Sequence, residues 1–278
     1  MTEQEPSVAD QIAAALDKLS GDAARELGLA EPGDGQEAAP ADHQAAGKSP
    51  GGPGLRAALF DVDGTLVDTN YLHTVAWWEA FARAGHDVPM ASIHRAIGMG
   101  SDKILDALLG PDHDTSADDK TREAHSALYA PYWNDLRPQP GAAELVRACA
   151  KRGWTVGLAS SAAPKEFAVL RRTLDVDDVL AGATNSGDAE ESKPDPDIVQ
   201  AALDRTGLTP ERVVFVGDAV WDVAAAAKLD IPCIGLTCGG ISAAELDDAG
   251  AVAIYRDPAD LHANLAHLPR RVLDILDG

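Results

Sequence analysis

From residue 55 onward, short apolar runs alternate with longer stretches whose apolar positions recur at helical spacing. The apolar runs at 57–60, 155–159, 179–183, 213–216, 233–236 and 251–255 have the length of buried strands. Residues 142–152, 165–173, 195–206, 220–229, 243–249 and 259–267 carry the helical period. Pro140-Gly141, Gly153, Pro194, Gly207 and Pro232 punctuate the joins. Strand–helix alternation of this kind predicts an α/β fold, a parallel sheet covered by helices on both faces. Such sheets hold ligands at the carboxyl ends of their strands.

Two segments depart from this rhythm. Between the first and second strands, residues 68–138 read as nearly all helix, at 72–84, 90–97, 102–109 and 116–133. A parallel crossover needs only a dozen or so residues. The excess predicts a small helical domain over the carboxyl edge of the sheet, able to close over a substrate and exclude water. The core would then comprise residues 55–67 and 139–278. Residues 1–54 form an acidic extension rich in Ala, Gly and Pro, and 31–54 has the composition of a flexible linker. Within it, Ile12, Ala15, Leu16 and Leu19 fall at helical spacing between residues 8 and 29, as in a docking helix or an unpartnered one.

Charge narrows the function. The chain has 23 basic and 45 acidic residues and a formal net charge of −22, which repels phosphate backbones and argues against nucleic acid as a partner. No apolar run approaches the length of a membrane span, and the N-terminus lacks the basic and apolar regions of a signal peptide. Cys149, Cys233 and Cys238 are odd in number and far apart, as expected of free thiols in a reducing cytoplasm. Cys238 is either a small packed residue or a reactive thiol. No feature demands an obligate protein partner.

The chemistry gathers at the predicted strand ends. The first strand runs into Asp61 and Asp63, which project to roughly the same side because side chains alternate along a strand. Carboxylates so close repel each other, and the usual reason to accept that cost is a divalent cation or acid–base work. The second strand ends in Ser160-Ser161, Lys193 stands just before a helix, and the fourth strand ends in Gly217-Asp218 with Asp222 one turn on. Together these fit displacement at phosphorus. Asp61 attacks, which splits one displacement into two. Asp61, Asp218 and the backbone carbonyl of Asp63 suit Mg²⁺, which prefers oxygen ligands. Lys193 offsets charge. Ser160 and the helix starting after Pro164 hold phosphoryl oxygens. Asp63 moves the proton, and Asp222 orients Lys193 or the metal's waters. Each residue alone has an ordinary reading: a turn or cap for Asp61 and Asp63, a cap for Ser160, a surface charge for Lys193, a first-turn helix acid for Asp222. Their joint occurrence at strand ends favours the chemical reading.

The ordered set DVDGT (61–65), Ser160, Lys193 and GDAVWD (217–222) resembles the signature of the haloacid dehalogenase-like hydrolases, over about residues 55–268. The resemblance implies a Rossmann-like core, Mg²⁺, an aspartyl-phosphate intermediate and a small phosphorylated metabolite as substrate. It makes Asp61, Asp63 and Lys193 the catalytic candidates and Asp61, Asp63 and Asp218 the metal candidates. Thr65, Ser160, Ser161 and His73 become the substrate-binding candidates. The helical insertion resembles the cap shared by phosphoglycolate phosphatases, sugar-phosphate phosphatases, β-phosphoglucomutases, phosphonatases and dehalogenases. Asp63 argues against a dehalogenase, because a departing halide needs no proton. A phosphonatase needs a cap lysine of lowered pKa, and nothing around Lys103 in sequence suggests one. LHTVAW (72–77) and Ser160-Ser161 resemble the sugar-phosphate and β-phosphoglucomutase group, with His73 closing over Asp63. IGMGS (97–101) instead resembles the phosphoglycolate phosphatases. A phosphatase is the expected activity. A mutase would have to protect its intermediate from water, and a non-catalytic module would have no need of the complete set. Arg95 and Lys103 are candidate contacts to a substrate carboxylate or second phosphate. Trp77, Trp78 and Trp133 are expected in the cap core, and Trp221 beside Asp218.

Overall fold

A computed structural model describes residues 56–277. The extension and its stretch at 8–29 lie outside the described residues. Six parallel strands, β1 (Ala57–Phe60), β2 (Thr155–Ala159), β3 (Gly182–Thr184), β4 (Val213–Gly217), β5 (Cys233–Leu236) and β6 (Ala253–Tyr255), form one sheet in the order β3-β2-β1-β4-β5-β6. Alternation along each strand feeds two cores. Ala58, Phe60, Leu158, Val214 and Val216 point to one face, under α5 (Ala142–Lys151), α6 (Pro164–Leu174), α10 (Pro258–Asn264) and α11 (Arg270–Asp277). Ala57, Leu59, Val213 and Phe215 point to the other, under α7 (Asp197–Thr206), α8 (Val220–Ala227) and α9 (Ala243–Asp248). This is a Rossmann-like three-layer fold. Connections run outward from β1 in both directions, which leaves a crevice at the carboxyl ends of β1 and β4. Phe60 lies level with Leu158 and Val216, so the chain leaves β1, β2 and β4 at nearly one height.

Four further helices follow β1: α1 (Asn70–Arg83), α2 (Met90–Ala96), α3 (Ile104–Leu109) and α4 (Asp118–Tyr129). They enclose a core of their own around Trp77, Phe81, Ile93, Ile104 and Leu105. The two connections to the sheet run side by side, with Asp68 N–H donating to Arg137 O and Gln139 N–H to Leu66 O. The helical layer also grips the sheet layer directly. Arg95 pairs with Glu245 at 3.0 Å, Trp221 donates to Arg95 O, and Gly100 N–H donates to Ser192 Oγ.

Several boundaries differ from the sequence reading. The run at 179–183 begins instead as a 3-10 turn, Asp177–Val179, and the strand starts at Gly182. The helix expected to reach Trp133 ends at Tyr129 and tightens into a 3-10 segment, Ala130–Asp135, because Pro131 brings no N–H to the α-helical ladder. Pro196 caps α7, so that helix starts at Asp197. The C-terminal α11, seated by Val272 and Leu276, was not anticipated. Trp78 is 43% exposed rather than in the cap core, and Trp133 packs half-buried on the larger core. No helix among the described residues is long and apolar enough to cross a membrane.

Candidate active site

The turn after β1 builds the first half of the site. Gly64 takes φ +75°, which glycine adopts without strain, and the chain folds back so that Leu66 and Val67 N–H both meet Val62 O. That return aims the Thr65 hydroxyl at Asp218 Oδ1 (2.6 Å) and Asp61 Oδ2 (3.1 Å). Asn70, at the start of α1, donates from Nδ2 to Asp218 Oδ2 at 2.7 Å. Lys193 reaches in from the loop before α7, wholly buried over the Phe215 ring. Its ammonium lies 2.5 Å from Asp61 Oδ1 and 2.8 Å from Asp222 Oδ1, and donates to Ala159 O. Asp222 Oδ2 accepts the Ala219 N–H, which fixes the start of α8. The loop after β5 closes the back wall. A Cβ on Gly239 would stand 1.6 Å from Asp218 Oδ2, so only glycine fits there.

Asp61, Asp218 and Asp222 offer oxygens within 4.8 Å of one another, all buried, against one ammonium. Burial pushes the Asp61 carboxyl up, and Asp222, Asp218 and Asp63 add to it against Lys193. Burial, then Asp222, raises Asp218 to about 7 in spite of the bonds from Thr65 and Asn70. Burial favours a neutral Lys193 amine, but Asp222 and Asp61 outweigh it and hold the ammonium above its ordinary value. An all-oxygen donor set carrying surplus negative charge out of water fits a hard divalent cation such as Mg²⁺.

Asp63 faces the helical layer. Its Oδ2 accepts from Ser160 Oγ at 3.2 Å, and its Oδ1 lies 3.5 Å from His73 Nε2. The same His73 nitrogen lies 3.1 Å from Glu166 Oε1. On its other side, His73 Nδ1 meets His125 Nε2 at 3.1 Å, Tyr129 stacks on the His73 ring and Trp77 on His125. Burial would lower the His73 pKa, but Glu166 and Asp63 raise it to about 9. Burial and the His73 charge push His125 well down. The pair therefore carries one charge: His73 donates from both nitrogens and His125 accepts on Nε2.

Between the two halves lies a cavity of about 100 Å³, walled by Asp61, Asp63, His73, Ser161, Met99 and Glu166 among others. Asp61, Asp63, Asp218, Asp222 and Lys193 are brought together. Ser161 lines the cavity, and its buried Oγ has no hydrogen-bond partner among the described residues. Thr65 and Ser160, expected to touch substrate, are fully buried and spend their hydroxyls on carboxylates. Arg95 and Lys103 are drawn away from the cavity by Glu245 and by Glu191 with Asp195, and Trp221 bridges to Arg95 O instead of lining the site. Cys238 Sγ donates to Gly64 O, and burial pushes its thiol up, which removes the thiolate a reactive role needs. Asn70, His125, Glu166 and Gly239 escaped the sequence reading. Asn70 directly follows the DVDGTLVDT run and Gly239-Gly240 follows the β5 run, which are usable signals. Glu166 reads as an ordinary first-turn helix acid.

A model of the haloacid dehalogenase-like hydrolase family matches residues 55–230. The phosphoglycolate phosphatase of Shigella boydii serotype 4 (strain Sb227) is 26% identical over 232 residues, which cover 74% of this chain and 91% of that protein. The crystal structure of a hydrolase from Pseudomonas syringae superposes with a TM-score of 0.73 at 30% identity, covering 77% of this chain and 99% of that one. CbbY from Rhodobacter sphaeroides, a mutant form in complex with xylulose-(1,5)bisphosphate, shares the fold at 23% identity and a TM-score of 0.63, over 74% of this chain and 96% of that one. The chain belongs to the haloacid dehalogenase-like hydrolases.

Proposed function

We propose that the protein is a Mg²⁺-dependent phosphatase that hydrolyses a small phosphate monoester through an aspartyl-phosphate on Asp61. The observation that carries this reading is the asymmetry of two carboxylates on one cavity. Asp61 is held by Lys193 at 2.5 Å, while Asp63 meets only a hydroxyl and an imidazole. An oxygen of Asp61 attacks phosphorus as the P–O ester bond breaks, and Asp63 gives its proton to the departing alkoxide. Water then attacks phosphorus, passes a proton back to Asp63 and frees Asp61 with release of phosphate. Lys193 lowers the charge that the phosphoryl group and Asp61 would otherwise share. Asp61, Asp218 and the Asp63 carbonyl would hold Mg²⁺, whose charge offsets that of the phosphoryl oxygens. Asp222 positions Lys193. Residues 68–138 act as a cap over a core of 55–67 and 139–278, and water is excluded when they close. Three free thiols suit a cytoplasmic enzyme.

The test is phosphate release from p-nitrophenyl phosphate. Turnover with Mg²⁺, its loss in EDTA and a drop of about 10⁴-fold or more in kcat for Asp61→Asn are expected. Wild-type protein that releases no phosphate from a broad ester panel overturns the reading. Isomerisation of a sugar phosphate without net release would make it a mutase.

A further inference from the structure

The cavity wall sets polar side chains among apolar ones, Trp77, Ile97 and Met99 included. Besides Asp61 and Asp63, which serve the phosphoryl group, Glu166 and Ser161 face the space, beside Ser101 and Met99. A second cavity of about 180 Å³ shares Ser101 and Ser161 with the first, and is lined further by Asp102, Ser186, Glu190 and Glu191. Neither cavity is lined by a lysine or an arginine. Three nearby cations are committed elsewhere, while Lys165, next to Glu166 in the chain, is exposed. Arg95 pairs with Glu245, Arg122 with Asp118 and Asp119, and Lys103 with Glu191 and Asp195. His73, which also lines the first cavity, sits between two carboxylates, 3.1 Å from Glu166 and 3.5 Å from Asp63.

A carboxylate or second phosphate entering this space would face acids with no lysine or arginine in the wall. Its charge would lose water and gain repulsion. A hydroxyl-rich alcohol meets matching partners: carboxylate oxygens that accept, and Ser161, whose buried Oγ has no hydrogen-bond partner among the described residues. Glu166 Oε1 already lies 3.1 Å from His73 Nε2, so it is not an open partner for an ammonium group.

We infer that the leaving group is an uncharged polyol carrying a single phosphate, selected by Glu166 and Ser161 through its hydroxyls, and that leaving groups bearing a carboxylate or second phosphate are rejected. The inference rests on the phosphatase reading and departs from the substrate that its phosphoglycolate phosphatase relative is named for.

Initial rates with Mg²⁺ on glycerol 3-phosphate and erythritol 4-phosphate, against phosphoglycolate, fructose 1,6-bisphosphate and O-phosphoethanolamine, test it. The polyol esters should lead in kcat/KM by about 100-fold or more over the two anionic substrates. Glu166→Gln should raise KM for the polyols by about 10-fold and narrow the gap, and Glu166→Arg should favour phosphoglycolate. Wild-type rates on phosphoglycolate or phosphoethanolamine that equal those on the polyols overturn the inference. Turnover of p-nitrophenyl phosphate by the same sample leaves the phosphatase reading standing. If that control fails too, calorimetric binding of glycerol 3-phosphate and phosphoglycolate to the wild type still decides. Tighter phosphoglycolate binding refutes the polyol wall without any turnover.

Discussion

Two clusters of ionisable side chains meet at this cavity, and they balance charge differently. Asp61, Asp218 and Asp222 form one, and Asp63, His73 and Glu166 the other. In each, the ligand-capable atoms lie within 4.8 Å. Spacing alone makes both look like cation sites. In the second, however, an imidazolium already occupies the position between the two carboxylates, with His125 neutral behind it. Its charge is better balanced from within, two carboxylates against one imidazolium. The first has one ammonium for three buried carboxylates, so its balance has to come from outside. One cluster is built to bind a charge, and the other to hold and present a proton donor.

The largest expected effect breaks the first cluster. Lys193→Met removes the ammonium from between Asp61 and Asp222 and leaves both buried without their partner. Breaking a buried ion pair from one side costs about 3–5 kcal/mol. Urea unfolding without divalent ions should show that loss, and saturating Mg²⁺ should recover part of it by binding only the folded state. A loss below about 1 kcal/mol would mean that the ammonium does not carry the charge balance assigned to it.

The second cluster makes a smaller, pH-dependent contribution. The folded-state pKa of His73, about 9, lies above its ordinary 6.5, so between those values the folded protein binds more protons than the unfolded one. The stability from charged His73 is complete below about pH 6.5 and is lost as pH rises through 9. The difference amounts to at most about 3.5 kcal/mol, at about 1.4 kcal/mol per pKa unit. Unfolding free energies at pH 6, 7.5 and 9 should fall in that order for the wild type and stay flatter for His73→Gln. Parallel curves would show that the histidine does not gain charge from Glu166 and Asp63.

The two clusters also differ in how much of them is legible in the chain. Asp61, Ser160 and Asp218 each end a strand buried on both faces, and parallel register forces those ends to one height. Apolar runs followed by polar residues were therefore enough to bring them together. Lys193 had only its place before a helix, and the ordered motif set carried it. Glu166 and His125 depend on how α6 and α4 pack against α1, and no local pattern in either helix marks that meeting. Arg95 and Lys103 show the same limit from the other side. Their charge is visible in sequence, but the acids that draw them away from the cavity come from distant segments. The edge strand β3 is misplaced because its apolar run spans a turn as well as three paired residues.

Two hydroxyls give the finest version of the contrast. Thr65, in the first cluster, lies within hydrogen-bond distance of both Asp61 and Asp218. Tyr129, in the second, is buried against the His73 ring, and its hydroxyl finds no partner within the described residues. Removing a hydroxyl that makes no bond forfeits nothing and relieves the cost of burying it. Tyr129→Phe should therefore change stability by less than about 0.5 kcal/mol or raise it slightly, with the ring stack intact. Phosphatase rates should stay within about twofold of wild type, since Asp63 keeps Ser160 and His73. A loss of about 1.5 kcal/mol in urea unfolding would instead mean that the hydroxyl donates to Asp63 or Glu166 in solution. The second cluster would then hold its carboxylates by a phenol as well as an imidazolium.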